Sequence, residues 1–308
     1  MSKALITGVN GFIGRHLYSH LLREGHEVLG IGRSPNPLVE GINYQQADVR
    51  NRQLMAEIIR NVDIVYHLAA QTKTQVSFEE PQLTFDINVG GTENVLYACA
   101  QNNAKLVFPS SATLYGSSKG TIVSEDSPLN PKGTYATSKL EAEKLCLDYI
   151  HRKELEVAIF RIFTAYGPLQ TAMNGVIPLF FEGMLDGKSP EIYSDGNQER
   201  DFIFISDILD GLGLWQKAAF KKEPVNIGTG RGIKTNALVE MLLHYIDLDL
   251  NPVYVEIPHP TNSGSLADIS RARALGFNPK VPFEEGLERY VRWAIQNRGM
   301  IQPRLVRN

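Results

Sequence analysis

Tyr135 and Lys139 stand four residues apart in Thr134-Tyr135-Ala136-Thr137-Ser138-Lys139, ahead of Leu140, Ala142 and Leu145 at helical spacing. On a helix that interval puts both side chains on one face, one turn apart. A phenol beside an ammonium ionises more readily, because positive charge favours phenolate, so Tyr135 is a candidate acid and base near neutral pH. Ser111 follows the apolar run Leu106-Val107-Phe108 and can bond the same substrate oxygen. Together the three could move a proton to or from an alcohol. A Tyr and Lys at this spacing also arise by chance on exposed helices, so the rest of the chain must decide.

A second stretch, Lys3 to Gly25, supplies what such a proton transfer would work with. Ala4, Leu5 and Ile6 form an apolar run too short for a helix, which predicts a buried parallel strand. Gly8, Gly11 and Gly14 follow, and then Leu17, Leu21 and Leu22 at helical spacing up to Gly25. Strand, glycine turn and helix aim backbone N–H groups and the positive helix end at one point, which favours a pyrophosphate. The pattern is G-x-x-G-x-x-G, a variant of the commoner dinucleotide fingerprint. The next strand, His26 to Gly32, runs into Arg33-Ser34 with no acid. A carboxylate there suits the ribose hydroxyls of NAD and an arginine suits the 2′-phosphate of NADP, so the reading is NAD(P) with a lean to NADP.

The elements that must position these residues alternate. Further strands are predicted over Asn43 to Val49, Asp63 to Ala70, Leu106 to Phe108 and Glu154 to Phe160, the last ending at Arg161. Helices are predicted over Asn51 to Asn61, from Asn88 to Ala100 after the polar loop Gln71 to Ser77, and from Tyr135 onward. Such alternation requires a mostly parallel sheet covered on both faces: an α/β, Rossmann-type doubly wound fold. Ligands on such a sheet sit beyond the carboxyl ends of the strands, so Gly8, Arg33, Ala69, Ser111 and Arg161 are expected to share one crevice. Beyond Tyr166 the alternation breaks among Pro168, Gly175, Pro178, Gly183 and Gly187. This divides the chain into a cofactor-binding domain over 1–165 and a smaller α/β substrate domain over 166–308. The short apolar runs Phe202 to Ile205 and Val225 to Ile227 leave open whether the chain rejoins the first sheet.

The 308 residues suit a large domain with a smaller one attached. Thirty-one basic and 34 acidic residues give a net charge of -3 without a basic run, which argues against nucleic acid as a partner. No apolar stretch reaches about 18 residues, and no charged-then-apolar leader precedes the first strand, so a cytoplasmic, membrane-free protein is expected. Cys99 and Cys146, the only cysteines, make neither a disulfide framework nor a metal site and read as helix-packing residues.

In order along the chain stand TGVNGFIG (7–14), DIVYHLAAQ (63–71), NVGGTENVL (88–96), SSATLYG (110–116), YATSK (135–139), RIFTAYGP (161–168), RDFIFISD (200–207), NIGTG (226–230) and ADISRA (267–272). Taken together they resemble the extended short-chain dehydrogenase/reductases, the sugar-nucleotide epimerases, dehydratases and reductases, over nearly the whole length. The resemblance implies that Gly8, Gly11 and Gly14 cradle the pyrophosphate, with Phe12 and Ile13 on the turn. It implies Arg33 and Ser34 at the adenosine ribose, Asp48 and Val49 at the adenine, and Leu68, Ala69 and Ala70 along the cofactor trough. Tyr135 would be the proton acceptor and donor, Lys139 would hold the nicotinamide ribose and lower the tyrosine pKa, and Ser111 would complete the triad. Arg200 would contact the substrate diphosphate. Ala112, Thr113, Thr164 and Tyr166 are further candidate substrate contacts, and a homodimer is implied through the helices around 88–100 and 135–150.

Departures from the pattern narrow the chemistry. Dehydratases of the family carry an Asp-Glu pair where Ala112-Thr113 stand, so a general acid for a leaving hydroxyl is missing. SATLYG looks like the 4-epimerase version. Thr164 replaces an asparagine common in relatives, and PHPTNSGSL (258–266) lacks a second basic anchor, which leaves the nucleotide open. The expectation is an epimerase of a nucleotide-activated sugar. The alternatives are a 4-ketoreductase using NADPH and a cofactor-binding sensor without turnover.

Overall fold

Apolar runs flanked by glycine or polar punctuation become strands, and 3.6-periodic stretches become the helices that cover them. The computed structural model describes residues 1–116, 121–172, 175–216, 223–256 and 264–297. In chain order come β1 (Lys3–Thr7), α1 (Phe12–Arg23), β2 (Glu27–Gly32), β3 (Tyr44–Gln46), α2 (Arg52–Ile59) and β4 (Ile64–His67). Two short helices, α3 (Thr74–Glu79) and α4 (Pro81–Phe85), lead through a π-turn at Asp86–Gly90 into α5 (Gly91–Asn102). Next are β5 (Lys105–Ser111), a 3₁₀ turn at Ala112–Tyr115, β6 (Ile122–Val123), α6 (Gly133–His151), β7 (Val157–Ile162) and β8 (Thr164–Tyr166). The remainder comprises α7 (Val176–Leu185), β9 (Glu191–Tyr193), β10 (Glu199–Phe204), α8 (Ile205–Leu212), β11 (Val225–Ile227), β12 (Gly232–Lys234) and α9 (Thr235–Ile246). The last elements are β13 (Val253–Val255), β14 (Leu266–Ala267), α10 (Ser270–Ala274) and α11 (Phe283–Gln296).

Seven strands form one sheet in the order β11-β7-β5-β4-β1-β2-β3, every pair parallel. Alternate residues of a strand supply opposite faces, so Ala4 and Ile6 join one core with Leu17, Tyr18 and Leu21 of α1 and Ile208 of α8. Leu5 joins the other, with Met55 of α2, Val95 and Cys99 of α5 and Cys146 of α6. Both cysteines are buried free thiols, and burial pushes their pKa values up. The strand order reverses at β1, and the chain leaves β2 on one side and β4 on the other. That switch point is where an open parallel sheet has a crevice.

Val225–Ile227 does return to the large sheet, as β11 beside β7 in the register Val225↔Phe160. Phe202 to Ile205 does not: β10 pairs with β8 and β12 in a separate three-stranded sheet. Other boundaries shift for local reasons. α3 begins at Thr74, inside the expected polar loop. The third strand ends at Gln46, leaving Asp48 and Val49 just past it. Arg161 lies within β7, one residue before its end, rather than beyond it. Among the described residues no helix is long and apolar enough to cross a membrane, and no cluster of His, Cys, Asp or Glu could hold a metal ion.

Candidate active site

The glycine turn owes its shape to two close approaches. Gly8 has φ +71, and a Cβ there would lie 2.8 Å from Cα and N of Ala69 at the end of the neighbouring strand β4. A Cβ on Gly14 would sit 2.5 Å from the Gly8 carbonyl oxygen, so only hydrogen lets the first turn of α1 fold over the loop. α1 starts with neither a side-chain cap nor an acid in its first turn. Its first amides therefore face the crevice beside a positive dipole end, and the site fits a dinucleotide pyrophosphate.

Beyond the turn opens a crevice of about 470 Å³, within the usual range for a ligand site. Gly8, Gly11, Phe12, Ile13, Gly14, Arg33, Asp48, Val49, Leu68, Ala69 and Ala70 line it, and so do Ser111, Tyr135, Lys139 and Thr164. Residues from seven separate segments thus meet in one place, as strands ending on the same side require. Asp48 is held ionised by Arg50, whose Nη2 donates to Oδ2 at 2.6 Å and whose hydrogen bonds lower the carboxyl pKa.

Several expected members lie elsewhere. Arg161 is 4% exposed and its guanidinium points into the protein, where Nη2 donates to Glu143 at 2.6 Å and Nη1 to Tyr115 at 2.9 Å. Tyr166 is 1% exposed, packed edge-on against Phe202 and Phe204 with its hydroxyl donating to the Phe283 carbonyl, so it is core and not a substrate contact. Ser34 is outside the lining, and its carbonyl accepts from the Tyr44 hydroxyl. Ala112 and Thr113 turn away in the 3₁₀ segment, with Thr113 Oγ1 donating to Ser111 Oγ at 2.9 Å. Arg200 stands on β10 apart from this lining, and among the described residues no carboxylate pairs with it. Most of 258–266 lies outside the described residues.

The electrostatics differ from the simple picture of phenol beside ammonium. Burial raises the Tyr135 pKa, and the group that opposes this is the Ser111 hydroxyl, not Lys139. Since Ser111 accepts from both Thr113 N–H and Thr113 Oγ1–H, its own proton is free for the phenol oxygen, where donation favours phenolate. Lys139 Nζ instead donates to the Pro109 carbonyl at 2.7 Å and lies 4.1 Å from the Phe108 ring centroid. Burial pushes the Lys139 pKa down to about 8, with the Glu143 carboxylate pulling the other way. Lys139 therefore loses its proton as pH rises through about 8. We expect kcat/KM to fall on the alkaline side of that pH, since the crevice lining then loses a positive charge that stabilises negative charge developing on the reacting oxygens. A profile flat to pH 10 would reject this.

Sequence reasoning missed His67, Thr72, Phe163, Ala165, Gln170 and Gly175, all of which line the crevice. His67 was visible as a polar residue inside the predicted strand Asp63 to Ala70, and the observed strand ends at it. Gln170 and Gly175 had no signal, because the loop after β8 is folded back by contacts from distant residues, among them Arg15 Nη2 donating to the Leu169 carbonyl and His16 bonding that of Pro168.

The family model described as the NAD dependent epimerase/dehydratase family matches residues 4–228. The chain belongs to this family. Among its members the UDP-glucuronate 4-epimerase of Thermodesulfobacterium geofontis is 32% identical over 324 residues, covering 98% of this chain and 99% of that protein. The UDP-glucose 4-epimerase of Thermotoga maritima, solved with UDP-glucose, has a TM-score of 0.90 at 28% identity and covers 96% of this chain and 99% of its own. DesIV of Streptomyces venezuelae, a dTDP-glucose 4,6-dehydratase solved with NAD and TYD, also scores 0.90, at 29% identity over 98% of this chain and 99% of that one. The family is NAD-dependent, and the large sheet is of its Rossmann type.

Proposed function

We propose that this member of the epimerase/dehydratase family inverts one ring carbon of a nucleotide-activated sugar through a keto-sugar intermediate. The observation that carries the reading is the convergence of Ser111, Tyr135 and Lys139 with the glycine turn on one crevice. A bound nicotinamide would supply the hydride acceptor and donor. Tyr135 takes the proton of the sugar hydroxyl and returns it after the ring has turned over. Ser111 donates its one free proton to the phenol oxygen or, with substrate in place, to the reacting oxygen, and Lys139, held on the Pro109 carbonyl, would hold the nicotinamide ribose. Water elimination is disfavoured, because Ala112 carries no acid and the Thr113 hydroxyl is occupied by Ser111.

Gly8, Gly11 and Gly14, with Phe12 and Ile13, would hold the pyrophosphate, and Asp48 and Val49 the adenine. The region after residue 165 would carry the substrate, with Thr164 at the mouth and Arg200 pairing with its diphosphate. A partly buried guanidinium without a carboxylate partner among the described residues supports that role. Incubation with UDP- and dTDP-hexoses tests the reaction: interconversion without net cofactor consumption is expected. Stoichiometric oxidation of NADPH would replace the epimerase by a 4-ketoreductase.

Arg33 sits at the rim of the crevice with no acid at the end of β2, which supports NADP over NAD. Titration should show NADPH binding about tenfold more tightly than NADH, with Arg33→Ala removing the difference. Equal affinities, or tighter NADH, would show that Arg33 reads no 2′-phosphate. A homodimer through α5 and α6 is part of the proposal. Sedimentation at micromolar concentration should give twice the mass of one chain.

A further inference from the structure

His67 ends β4 with 2% of its surface exposed, and its hydrogen bonds determine which nitrogen carries the proton. Thr92 Oγ1 donates to the Asn88 carbonyl at 2.6 Å, which can only accept. That engages the one hydrogen of the Thr92 hydroxyl, so across the 3.0 Å to His67 Nε2 the oxygen accepts and Nε2 bears the proton. Nδ1 is then bare and accepts from Thr7 Oγ1 at 2.8 Å, while the same Thr7 oxygen accepts from the Ala69 amide at 3.0 Å. Burial, with the Lys139 ammonium as the one charged group acting on the ring, pushes the His67 pKa down to about 3. The imidazole stays neutral over any working pH.

This bridge continues to the backbone of Tyr135. The Asn88 side chain donates from Nδ2 to Ser138 Oγ at 2.9 Å, and Ser138 Oγ donates to the Tyr135 carbonyl at 2.8 Å. The π-turn at Asp86–Gly90 holds Asn88 where its carbonyl meets Thr92 and its amide meets α6. We infer that His67, as the Nε2–H imidazole, is a positioning residue that fixes the crevice floor at Thr7 and Ala69 against Thr92, and through Asn88 and Ser138 against the helix of Tyr135. Its effect on turnover rests on the reaction proposed above. Its tautomer and its effect on the cofactor trough do not.

The first test uses the ligand-free protein. Ring ¹⁵N resonances, with His67 assigned by its loss in His67→Gln, should show a protonated Nε2 and a bare Nδ1 that do not titrate down to about pH 5. A ring protonated on Nδ1, or titrating above pH 5, overturns the assignment. The two halves of the bridge then separate by variant. His67→Phe should weaken NADH or NADPH, followed by cofactor fluorescence, about tenfold, and His67→Asn should recover to within about threefold because its Oδ1 takes the place of Nδ1. Thr92→Val should leave that affinity within about threefold and lower kcat about tenfold with KM little changed. A role in stability alone predicts a common drop in Tm with no rescue by Asn; that result, or unchanged affinity in His67→Phe, overturns the inference. If the wild type turns over no sugar nucleotide, the proposed reaction fails, while the resonances and the cofactor titrations still decide the role of His67.

Discussion

Tyr135→Phe lowers turnover by about 10²–10⁴-fold and leaves cofactor affinity nearly intact. The phenol is the group in the crevice able both to take and to give a proton at the sugar oxygen. His67 is neutral and engaged at both nitrogens, and Lys139 is tied to Pro109. Burial alone would make Tyr135 a poor base, since it disfavours the phenolate. Ser111, oriented by two hydrogen bonds from Thr113, offsets part of that cost, and a substrate hydroxyl in place would supply more. Removing the hydroxyl keeps the ring, and with it the shape of the trough. Turnover follows from the rate of sugar interconversion and affinity from cofactor titration; unaltered turnover discards the mechanism.

Arg161→Leu should cost about 3–5 kcal/mol of stability, a large part of the total for a folded domain. Glu143 is 1% exposed and lies two turns beyond Tyr135 on α6. Its carboxylate accepts from Arg161 Nη2 at 2.6 Å and from Ser110 Oγ at 2.5 Å. Arg161 in turn donates to Tyr115, whose hydroxyl donates to Asn226 Oδ1 at 2.6 Å. Deleting the guanidinium leaves the buried carboxylate without its ion-pair partner, with the Ser110 hydroxyl still donating to it. The double variant Arg161→Leu with Glu143→Leu should regain much of the loss, because two buried charges then leave together. Denaturant unfolding of the three proteins measures this, and a single variant as stable as the wild type would show the pair to be without energetic weight.

That pair shows where sequence reading runs out. Arg161 follows an apolar run, as a crevice residue would, and nothing in its neighbours says that Glu143, 18 residues earlier, will claim it. Tyr166 failed for the same reason: its partners Phe202, Phe204 and Phe283 come from distant parts of the chain. The expected phenol–ammonium contact had the right spacing, yet Lys139 reaches back to the carbonyl of Pro109 on β5.

The grouping of Ser111, Tyr135 and Lys139 with the cofactor site came from the resemblance carried by nine motifs in order, whereas local order and spacing were enough to determine the parallel α/β sheet and the glycine turn. These follow from short-range pattern, since apolar runs, glycine positions and i, i+4 intervals act within a few residues. Only the tertiary structure decided that Val225–Ile227 rejoins the large sheet, that Phe202–Phe204 does not, and which protons His67, Ser111 and Thr92 carry or give. Those depend on partners brought together by packing, where a buried polar group takes whichever acceptor the fold places within about 3 Å.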